Sequence, residues 1–248
     1  MDNPKFEIQD KQYLFPYHYL AFMDEKTPQI KRTLGWGFEY LTYMNVVIEE
    51  IKKLKYKNIL DVGCGDGYLL NNLETNADKL GIDLSEKAIM FANAFAKDAK
   101  FEIKDLFTLD TKYDVISLIE VLEHIPNDIV EPFMTQVLSL INKDGHFIIS
   151  VPTTVLPLNK KHYRHYDEKL LSEHIEKFGN VELVEEKRVY KMPSLSKFYM
   201  RLLNNRIWTI NAKPILNKFW KWHVKKNINA DKKTGYHLIR VYRKKSNV

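Results

Sequence analysis

Cysteine is nearly absent from this 248-residue sequence: Cys64 is its single copy, which excludes an intramolecular disulfide. A lone thiol fits a reducing compartment, so we expect a cytoplasmic protein. There is no run of about 18 apolar residues, which argues against a membrane-spanning helix. Residues 1–5 lack the basic and then apolar pattern of a secretory signal, which favours the same location.

Acidic residues are almost missing from the last quarter of the chain. Residues 187–248 contain 17 Lys and Arg but one acid, Asp231, whereas residues 1–186 contain 21 Lys and Arg and 31 acids. A basic segment on an acidic body favours an anionic partner, such as phospholipid, nucleic acid or a phosphorylated substrate. The alternative is a solvated basic surface with no partner.

Glycine is scarce, with nine copies, but Gly63, Gly65 and Gly67 follow one another at alternate positions. An apolar run precedes them and another follows, which predicts a buried strand, a tight turn and the start of a helix. Glycines allow positive φ angles and a close approach of the backbone to a ligand. A second short strand ends at Asp83, about 20 residues later, the distance expected for a carboxylate that binds ribose hydroxyls.

The glycine spacing narrows the cofactor class. One residue separates Gly65 from Gly67, whereas the nicotinamide fingerprint has two before its last glycine, which argues against a dehydrogenase. The stretches 61–67 (Asp-Val-Gly-Cys-Gly-Asp-Gly) and 81–85 (Gly-Ile-Asp-Leu-Ser) resemble the first two motifs of the class I S-adenosylmethionine-dependent methyltransferases. The resemblance implies a Rossmann-like α/β fold and S-adenosylmethionine as cofactor. The cofactor contacts that it implies are Asp61, Gly63, Cys64, Gly65, Gly67, Asp83, Leu84, Asp105, Leu106 and Glu120.

Strands and helices alternate from residue 58 onward, which predicts a mostly parallel sheet of seven strands with helices on both faces. We expect strands at about 58–63, 79–84, 101–105, 113–120, 146–152, 181–190 and 236–243. Helices are expected near 36–55, 67–74, 86–97 and 128–142. The predicted domains are an N-terminal aromatic and helical extension (1–56), a methyltransferase domain (57–191 plus 235–248) and a basic helical insertion before the last strand (192–234).

The extension is rich in aromatic residues. In the resembled family such extensions often cover the cofactor and help to form the substrate pocket, which makes Tyr17, His18 and Tyr19 candidates for a lid. Packing of these aromatic side chains on the domain is the alternative.

Polar residues follow two further strands. Asp105 comes after the third strand, and the resemblance implies that it accepts a hydrogen bond from the adenine amino group; a turn cap is the alternative. The fourth strand runs into Glu120, Glu123 and His124, beyond the edge at which open α/β sheets bind ligands. Spacings of three and four residues predict that these three side chains share one side of a helical turn.

The segment 120–125 (Glu-Val-Leu-Glu-His-Ile) resembles a branch that includes the ubiquinone-pathway O-methyltransferases. The segment 162–166 (His-Tyr-Arg-His-Tyr) resembles the His-x-Arg-x-Tyr motif after strand five of that branch. Three interpretations stay open. His124 is the general base, with His162 or His165 as alternatives, while Glu120 holds the methionine end of the cofactor. A divalent metal, Mg²⁺ or another ion, is held by Glu120, Glu123, His124 and His165. Glu123 and His124 only cap and orient the next helix.

The insertion is predicted to form two basic amphipathic helices. Leu195, Phe198, Tyr199, Leu202 and Leu203 recur at helical spacing in the first, and Leu216, Phe219, Trp220 and Val224 do so in the second. One interpretation is a substrate cap that packs on the domain. Another is peripheral contact with a membrane through residues 192–226. Nucleic acid is the least favoured partner, because no RNA-binding motif is present.

The residues and the resemblance together predict an S-adenosylmethionine-dependent methyltransferase. We expect O-methylation of a small hydroxylated, saccharide or lipid-linked acceptor by in-line transfer, with a histidine as general base. The alternatives are methylation of RNA, at a 2′-oxygen or a base, and a non-catalytic subunit that binds S-adenosylmethionine.

Overall fold

The computed structural model describes residues 5, 8, 21–24, 27–30, 34–190, 194–203, 205, 208, 210 and 212–245. The proposed lid residues Tyr17, His18 and Tyr19 lie outside this part of the chain. The strands are β1 (Ala21–Asp24), β2 (Thr27–Ile30), β3 (Asn58–Val62), β4 (Asp78–Asp83), β5 (Lys100–Ile103), β6 (Tyr113–Ile119), β7 (Ile141–Pro152), β8 (Val181–Tyr190) and β9 (Gly235–Lys244).

Seven of these strands form one mixed sheet in the order β5-β4-β3-β6-β7-β9-β8. Neighbours from β5 through to β7 are parallel, and β9 is antiparallel to both β7 and β8. The first two strands form a separate antiparallel hairpin. The predicted Rossmann-like α/β fold with a mostly parallel seven-stranded sheet is confirmed.

The α-helices are α1 (Leu34–Lys52), α2 (Tyr68–Asn71), α3 (Glu86–Ala94), α4 (Val130–Ser139), α5 (Glu168–Glu176), α6 (Ser194–Leu203) and α7 (Lys213–Asn227). Short 3₁₀ turns lie at Leu106–Thr108 and Leu122–His124. Within the described ranges, no helix combines the length and the apolar character needed to cross a membrane.

Two strand boundaries differ from the prediction by two residues or more, for local reasons. β7 begins at Ile141, before the predicted start at 146, because Ile141 pairs with Tyr113 ahead of an irregularity in the register between Tyr113 and Val115. β5 ends at Ile103 and not at 105, because Asp105 lies past the strand and caps the 3₁₀ turn that follows it.

The central strands are buried on both sides, and their side chains alternate between two apolar layers. Ile59 and Val115 point into the layer that contains α1 and α7, whereas Leu60 and Ile116 point into the layer that contains α4 and α5. The strand order reverses between β3 and β6, and an open α/β sheet binds its ligands at such a reversal, beyond the carboxyl ends of the strands. The fold therefore places a crevice after β3 and β6.

The two helices predicted within the insertion are both present, and α7 packs on α1. The ring of Trp220 meets that of Phe38 edge-on, with centroids 5.3 Å apart. The buried His223 donates from Nε2 to the hydroxyl oxygen of Thr42 at 3.1 Å, and its Nδ1 lies 3.2 Å from the amide nitrogen of Asn227. Helix α7 of the insertion is therefore packed against α1.

Candidate active site

A cavity of about 900 Å³ opens at the carboxyl ends of β3, β4 and β6. Ligand pockets typically measure about 300–1,000 Å³, so a cofactor and part of an acceptor fit this space. The structure brings nine of the ten predicted cofactor residues to its wall: Asp61, Gly63, Cys64, Gly65, Asp83, Leu84, Asp105, Leu106 and Glu120. Gly67 does not line it. A Cβ at Gly67 would lie 2.6 Å from Cζ of Phe101, so close packing explains this glycine.

The glycine turn is held in a left-handed backbone conformation, with φ of 71° at Gly63 and 56° at Gly65. The amides of Gly63 and Cys64 both donate to the carbonyl of Ile82, at 2.8 and 3.0 Å. A Cβ at Gly63 would lie 2.5 Å from Cγ2 of Val121, which follows β6. The turn is therefore pressed between the ends of β4 and β6.

Asp83 joins this turn to the end of β4 through one carboxylate. Its Oδ2 accepts from the amide of Gly65 at 3.0 Å, and its Oδ1 accepts from the amide of Ser85 at 2.8 Å. The side chain is half-buried and lies on the cavity wall. Asp105 is similarly occupied, since its Oδ1 accepts from the amide of Phe107 at 3.0 Å. It caps a turn and also lies on the cavity wall, and its hydrogen bond to the adenine amino group stays a prediction.

Burial disfavours the charged form of two ionisable groups beneath the turn. Burial raises the pKa of Asp61 to about 7, although Ser117 donates to its carboxylate at 2.7 Å. Burial, with the nearby carboxylates of Asp61 and Asp83, raises the pKa of the Cys64 thiol well above its usual value. Cys64 is therefore part of the cavity lining and not a nucleophile.

Glu120 departs from the predicted arrangement. Its φ is 55°, the left-handed region, so the chain turns sharply before the 3₁₀ turn that carries Glu123 and His124. The three side chains therefore do not share one helical side, and that prediction is wrong. Strained non-glycine residues of this kind are concentrated at functional sites.

The carboxylate of Glu120 belongs to a buried ion cluster. Ser150 donates to its Oε1, and His237 Nδ1 donates to its Oε2 at 3.1 Å. His237 Nε2 donates to Glu39 Oε1, also at 3.1 Å, and the ring of Tyr43 lies 4.5 Å from the imidazole, centroid to centroid. Glu39, Tyr43, Glu120 and His237 all line the cavity.

The positive charge of His237 and the negative charges of Glu39 and Glu120 stabilise one another. Burial alone would raise the pKa of Glu120, but the charge and hydrogen bond of His237 outweigh it and lower that pKa. Burial alone would lower the pKa of His237, but the two carboxylates raise it to about 10. His237 is thus a buried imidazolium between Glu39 and Glu120. No local sequence pattern signals this cluster, because its members lie on α1, just after β6 and on β9.

Glu123, His124 and His162 form a second group, in which one ligand atom from each residue lies within 4.8 Å of the others. The prediction had named Glu120 and His165 as ligands together with Glu123 and His124. The structure replaces those two by His162, because Glu120 is engaged with His237 and because His165 is hydrogen-bonded behind His162.

The hydrogen bonds fix which imidazole nitrogens are free. His124 Nδ1 donates to the carbonyl of Lys161 at 3.1 Å, and His165 Nδ1 donates to that of Leu156 at 3.0 Å. His165 Nε2 therefore accepts from His162 Nδ1, 2.8 Å away. His124 and His162 both keep the lone pair on Nε2. Burial lowers the pKa of His124 to about 4 and that of His162 to about 3, so both rings are neutral at neutral pH.

Glu123 completes the group as a buried acid. It is 1% exposed, and its Oε2 has no hydrogen-bond partner among the described residues. Burial, together with the charge of Glu120, raises its pKa well above the usual value. A buried carboxyl beside two bare imidazole nitrogens is stabilised by a shared proton or by a cation. Two imidazoles and one carboxylate suit a transition metal better than Mg²⁺, which prefers oxygen ligands.

The loop that carries His162 is held from two sides. Arg164 donates from its guanidinium to the carbonyls of Leu122, at 3.1 Å, and Ile125, at 2.7 Å, and so ties the loop to the 3₁₀ turn. Lys5, from the N-terminal extension, donates from Nζ to the carbonyls of Lys160 and His162, both at 2.9 Å. Neither role was assigned from the sequence, although Arg164 lies within the segment that the resemblance had singled out.

Comparison with known proteins agrees with the fold described above. The sequence profile of the methyltransferase domain family matches residues 39–194. The ubiquinone biosynthesis O-methyltransferase of Rickettsia bellii is 33% identical over 118 residues, which cover 43% of this chain and 48% of that protein. The chain thus spans about half the length of this curated relative.

Solved structures share the fold at low identity. The N-methyltransferase NodS of Bradyrhizobium japonicum, in complex with S-adenosylhomocysteine, aligns with a TM-score of 0.62 at 12% identity, over 98% of this chain and 100% of that one. Magnesium protoporphyrin IX methyltransferase of Synechocystis, with bound S-adenosylmethionine, aligns with a TM-score of 0.60 at 16% identity, over 98% of both chains. These similarities establish the fold, and S-adenosylmethionine is the cofactor that they support.

Proposed function

This chain belongs to the methyltransferase domain family and is an S-adenosylmethionine-dependent methyltransferase, and we propose that it methylates a hydroxyl oxygen. The proposed acceptor is a small hydroxylated, saccharide or lipid-linked compound. One observation carries the proposal: the cavity that contains the glycine turn and Asp83 also contains two neutral imidazoles, those of His124 and His162. A hydroxyl acceptor has to lose a proton, and a neutral imidazole can accept one.

The proposed reaction is an in-line displacement. The acceptor oxygen forms a bond to the methyl carbon as the bond from carbon to sulfur breaks, and the sulfonium becomes a neutral thioether. The hydroxyl proton passes to Nε2 of His124, whose Nδ1 proton is held by the carbonyl of Lys161. A base with a pKa of about 4 takes this proton readily only once the hydroxyl has become acidic through bond formation, so proton transfer accompanies or follows methyl transfer.

The same group of residues also fits a divalent cation. Glu123, His124 and His162 would hold it. The supporting observation is that Glu123 Oε2, which has no hydrogen-bond partner among the described residues, belongs to a group with two imidazole nitrogens that keep their lone pairs. A bound cation would supply Lewis acidity, which lowers the pKa of a coordinated hydroxyl. In this variant of the proposal His124 is a ligand rather than the base.

Replacing His124 by Gln tests the catalytic role. We expect kcat to fall by about 10²–10⁴-fold, because that is the usual contribution of a positioned general base, while the Kd for S-adenosylmethionine stays unchanged. The measurement is transfer from radiolabelled S-adenosylmethionine to a panel of catechols, saccharides, lipid-linked precursors and RNA. His146→Gln is the control, since His146 is half-buried on β7 and does not line the cavity. Full activity of His124→Gln would exclude this histidine, and labelling of RNA alone would favour the RNA alternative.

Metal binding is tested without reference to turnover. Protein stripped with EDTA should take up Mn²⁺, as followed by loss of the free-ion electron paramagnetic resonance signal. Glu123→Gln should weaken uptake by at least about tenfold, because removing a charged ligand costs more than about 1.4 kcal/mol. Glu39→Gln, outside the group, should bind Mn²⁺ as the wild type does. Equal uptake by Glu123→Gln, or none by the wild type, would rule out this cation site.

A further inference from the structure

Helix α6 has apolar residues on both of its faces. Ser196, Met200 and Leu203 are buried and form the inner face. The outer face, defined by Leu195, Phe198, Tyr199 and Leu202, is exposed by 53, 58, 46 and 44% respectively. These four residues recur at the i, i+3, i+4 and i+7 spacing of a single stripe. The stripe that the sequence would assign to packing is therefore the one that the fold leaves in solvent.

The chain after α6 extends this surface. Trp208 donates from its indole nitrogen to the carbonyl of Leu202 at 2.8 Å, and Ile210 donates from its amide to the carbonyl of Leu203 at 2.7 Å. Trp208 is 48% exposed and Ile210 is 40% exposed. A half-exposed tryptophan next to an apolar stripe is typical of protein segments that lie at the boundary between water and lipid.

The surroundings of the stripe are basic. Lys197 and Arg201 are exposed on α6 itself, and Lys218, Lys221 and Lys225 are exposed on α7. Asp231 is the sole acid in residues 187–248. An apolar stripe flanked by cations is complementary to a surface that offers anionic groups above an apolar layer.

The described residues of helices α6 and α7 do not line the cavity directly. Within the described residues, the cavity wall includes Glu39, Tyr40 and Tyr43 of α1 but no residue of α6 or α7. The inner side of α7 is occupied by α1, through Phe38 and Thr42. In the outer stripe of α6, the ring of Tyr199 contacts that of Phe219 on α7, with centroids 5.8 Å apart, yet all four side chains stay at least 44% exposed.

We propose that the outer face of α6, together with Trp208, docks on the surface of an anionic lipid bilayer. The apolar stripe inserts at the level of the headgroups, while Lys197 and Arg201 lie beside lipid phosphates. A second copy of this chain is the less favourable occupant, because matching stripes would bring two strongly basic segments together. The docking does not depend on the methyl-transfer reaction.

Co-sedimentation of the full chain with vesicles tests this proposal. We expect binding to vesicles of phosphatidylcholine mixed with phosphatidylglycerol, weak binding to phosphatidylcholine alone, and weaker binding as NaCl is raised. Each basic residue near an anionic membrane contributes about a fivefold factor, so Lys197→Gln with Arg201→Gln should lower the partition coefficient by roughly 25-fold. Phe198→Ser with Leu202→Ser should lower it by about tenfold or more through lost apolar contact.

Met90→Ser with Val184→Ser is the matched control, because both side chains are exposed apolar residues outside the insertion, at 65 and 54%. This control should bind vesicles as the wild type does, and all variants should keep the wild-type Tm. Equal vesicle binding by wild type and α6 variants would overturn the proposal. So would a concentration-dependent dimer, seen by sedimentation velocity, that the Phe198 and Leu202 substitutions abolish without any effect on vesicle binding.

Discussion

At the scale of single residues, Asp83 is where the cofactor prediction is most directly testable. Its two carboxylate oxygens hold the amides of Gly65 and Ser85, and its side chain faces the cavity. One residue therefore shapes the turn and, as the family resemblance implies, binds the ribose. Loss of its charge should weaken both functions together.

Asp83→Asn keeps the shape of the side chain and removes its charge. Hydrogen bonds to a charged group contribute about 1.5–3 kcal/mol, so the affinity for S-adenosylmethionine should fall by about 10–150-fold. Isothermal titration calorimetry measures this change. Asp78→Asn, at the exposed start of the same strand, is the control and should bind normally. Unchanged affinity in Asp83→Asn would contradict the assigned cofactor site.

The residues that sequence reasoning identified are those whose role depends on near neighbours. Gly63, Gly65 and Asp83 lie in one strand–turn–helix–strand unit, so their spacing carries the information. Whether His162 or His165 joins Glu123 and His124 depends on the hydrogen bonds of the two imidazoles. His165 bonds to the carbonyl of Leu156 and to His162, and these contacts exist only in the folded loop. A linear pattern contains no such information.

At the scale of elements, the glycine turn and the end of β6 fit each other closely. The contact between a Cβ at position 63 and Val121 would be 2.5 Å, and φ at Gly63 is 71°. Any substitution of Gly63 therefore carries two separate free-energy costs, one from the left-handed backbone conformation and one from the steric contact with Val121. They can be separated experimentally.

Gly63→Ala should destabilise the protein by about 2–5 kcal/mol, from about 1–2 kcal/mol of left-handed backbone strain and about 1–3 kcal/mol of overpacking. Val121→Ala removes both Cγ atoms, so in the Gly63→Ala background it should recover the overpacking part alone. Urea unfolding of the two single variants and the double variant gives the coupling energy. Strict additivity of the two substitutions would show that the contact with Val121 is not the reason that position 63 requires a glycine.

Helix α6 shows why an amphipathic pattern can be interpreted in two ways. Leu202 and Leu203 are adjacent in the sequence, yet Leu202 is 44% exposed and Leu203 is 7% exposed. With apolar residues on two faces, hydrophobic spacing predicts a helix but not the face that packs. Contacts with α1 decide this, and they come from residues far away in the sequence.

At the scale of the whole molecule, the ion cluster ties together three distant parts of the chain. Glu39 lies on α1, Glu120 follows β6, and His237 lies on β9. The mostly parallel sheet was predictable from the alternation of strands and helices, but this cluster was not, because Glu39 and His237 look ordinary in their own segments. It also gives the stability of the molecule a specific pH dependence.

The raised pKa of His237 sets the sign of that dependence. The unfolded imidazole has a pKa near 6.5 and the folded one about 10, so the stabilisation is fully present below pH 6.5 and is lost as pH rises towards 10. The free energy of unfolding should therefore fall more steeply between pH 7 and 10 in the wild type than in His237→Gln. Glu39→Gln should show an intermediate slope, since one carboxylate remains. Parallel slopes for wild type and His237→Gln, in urea titrations at several pH values, would contradict a buried imidazolium.

The position of β9 between β7 and β8 has a consequence for synthesis on the ribosome. β9 is made after α6 and α7, so β7 and β8 emerge first, each with an open edge that only β9 can pair. Unpaired edges of this kind recruit other strands, including those of neighbouring nascent chains. The insertion prolongs this interval, which makes translation speed through residues 191–234 and access to chaperones important for the yield of folded enzyme.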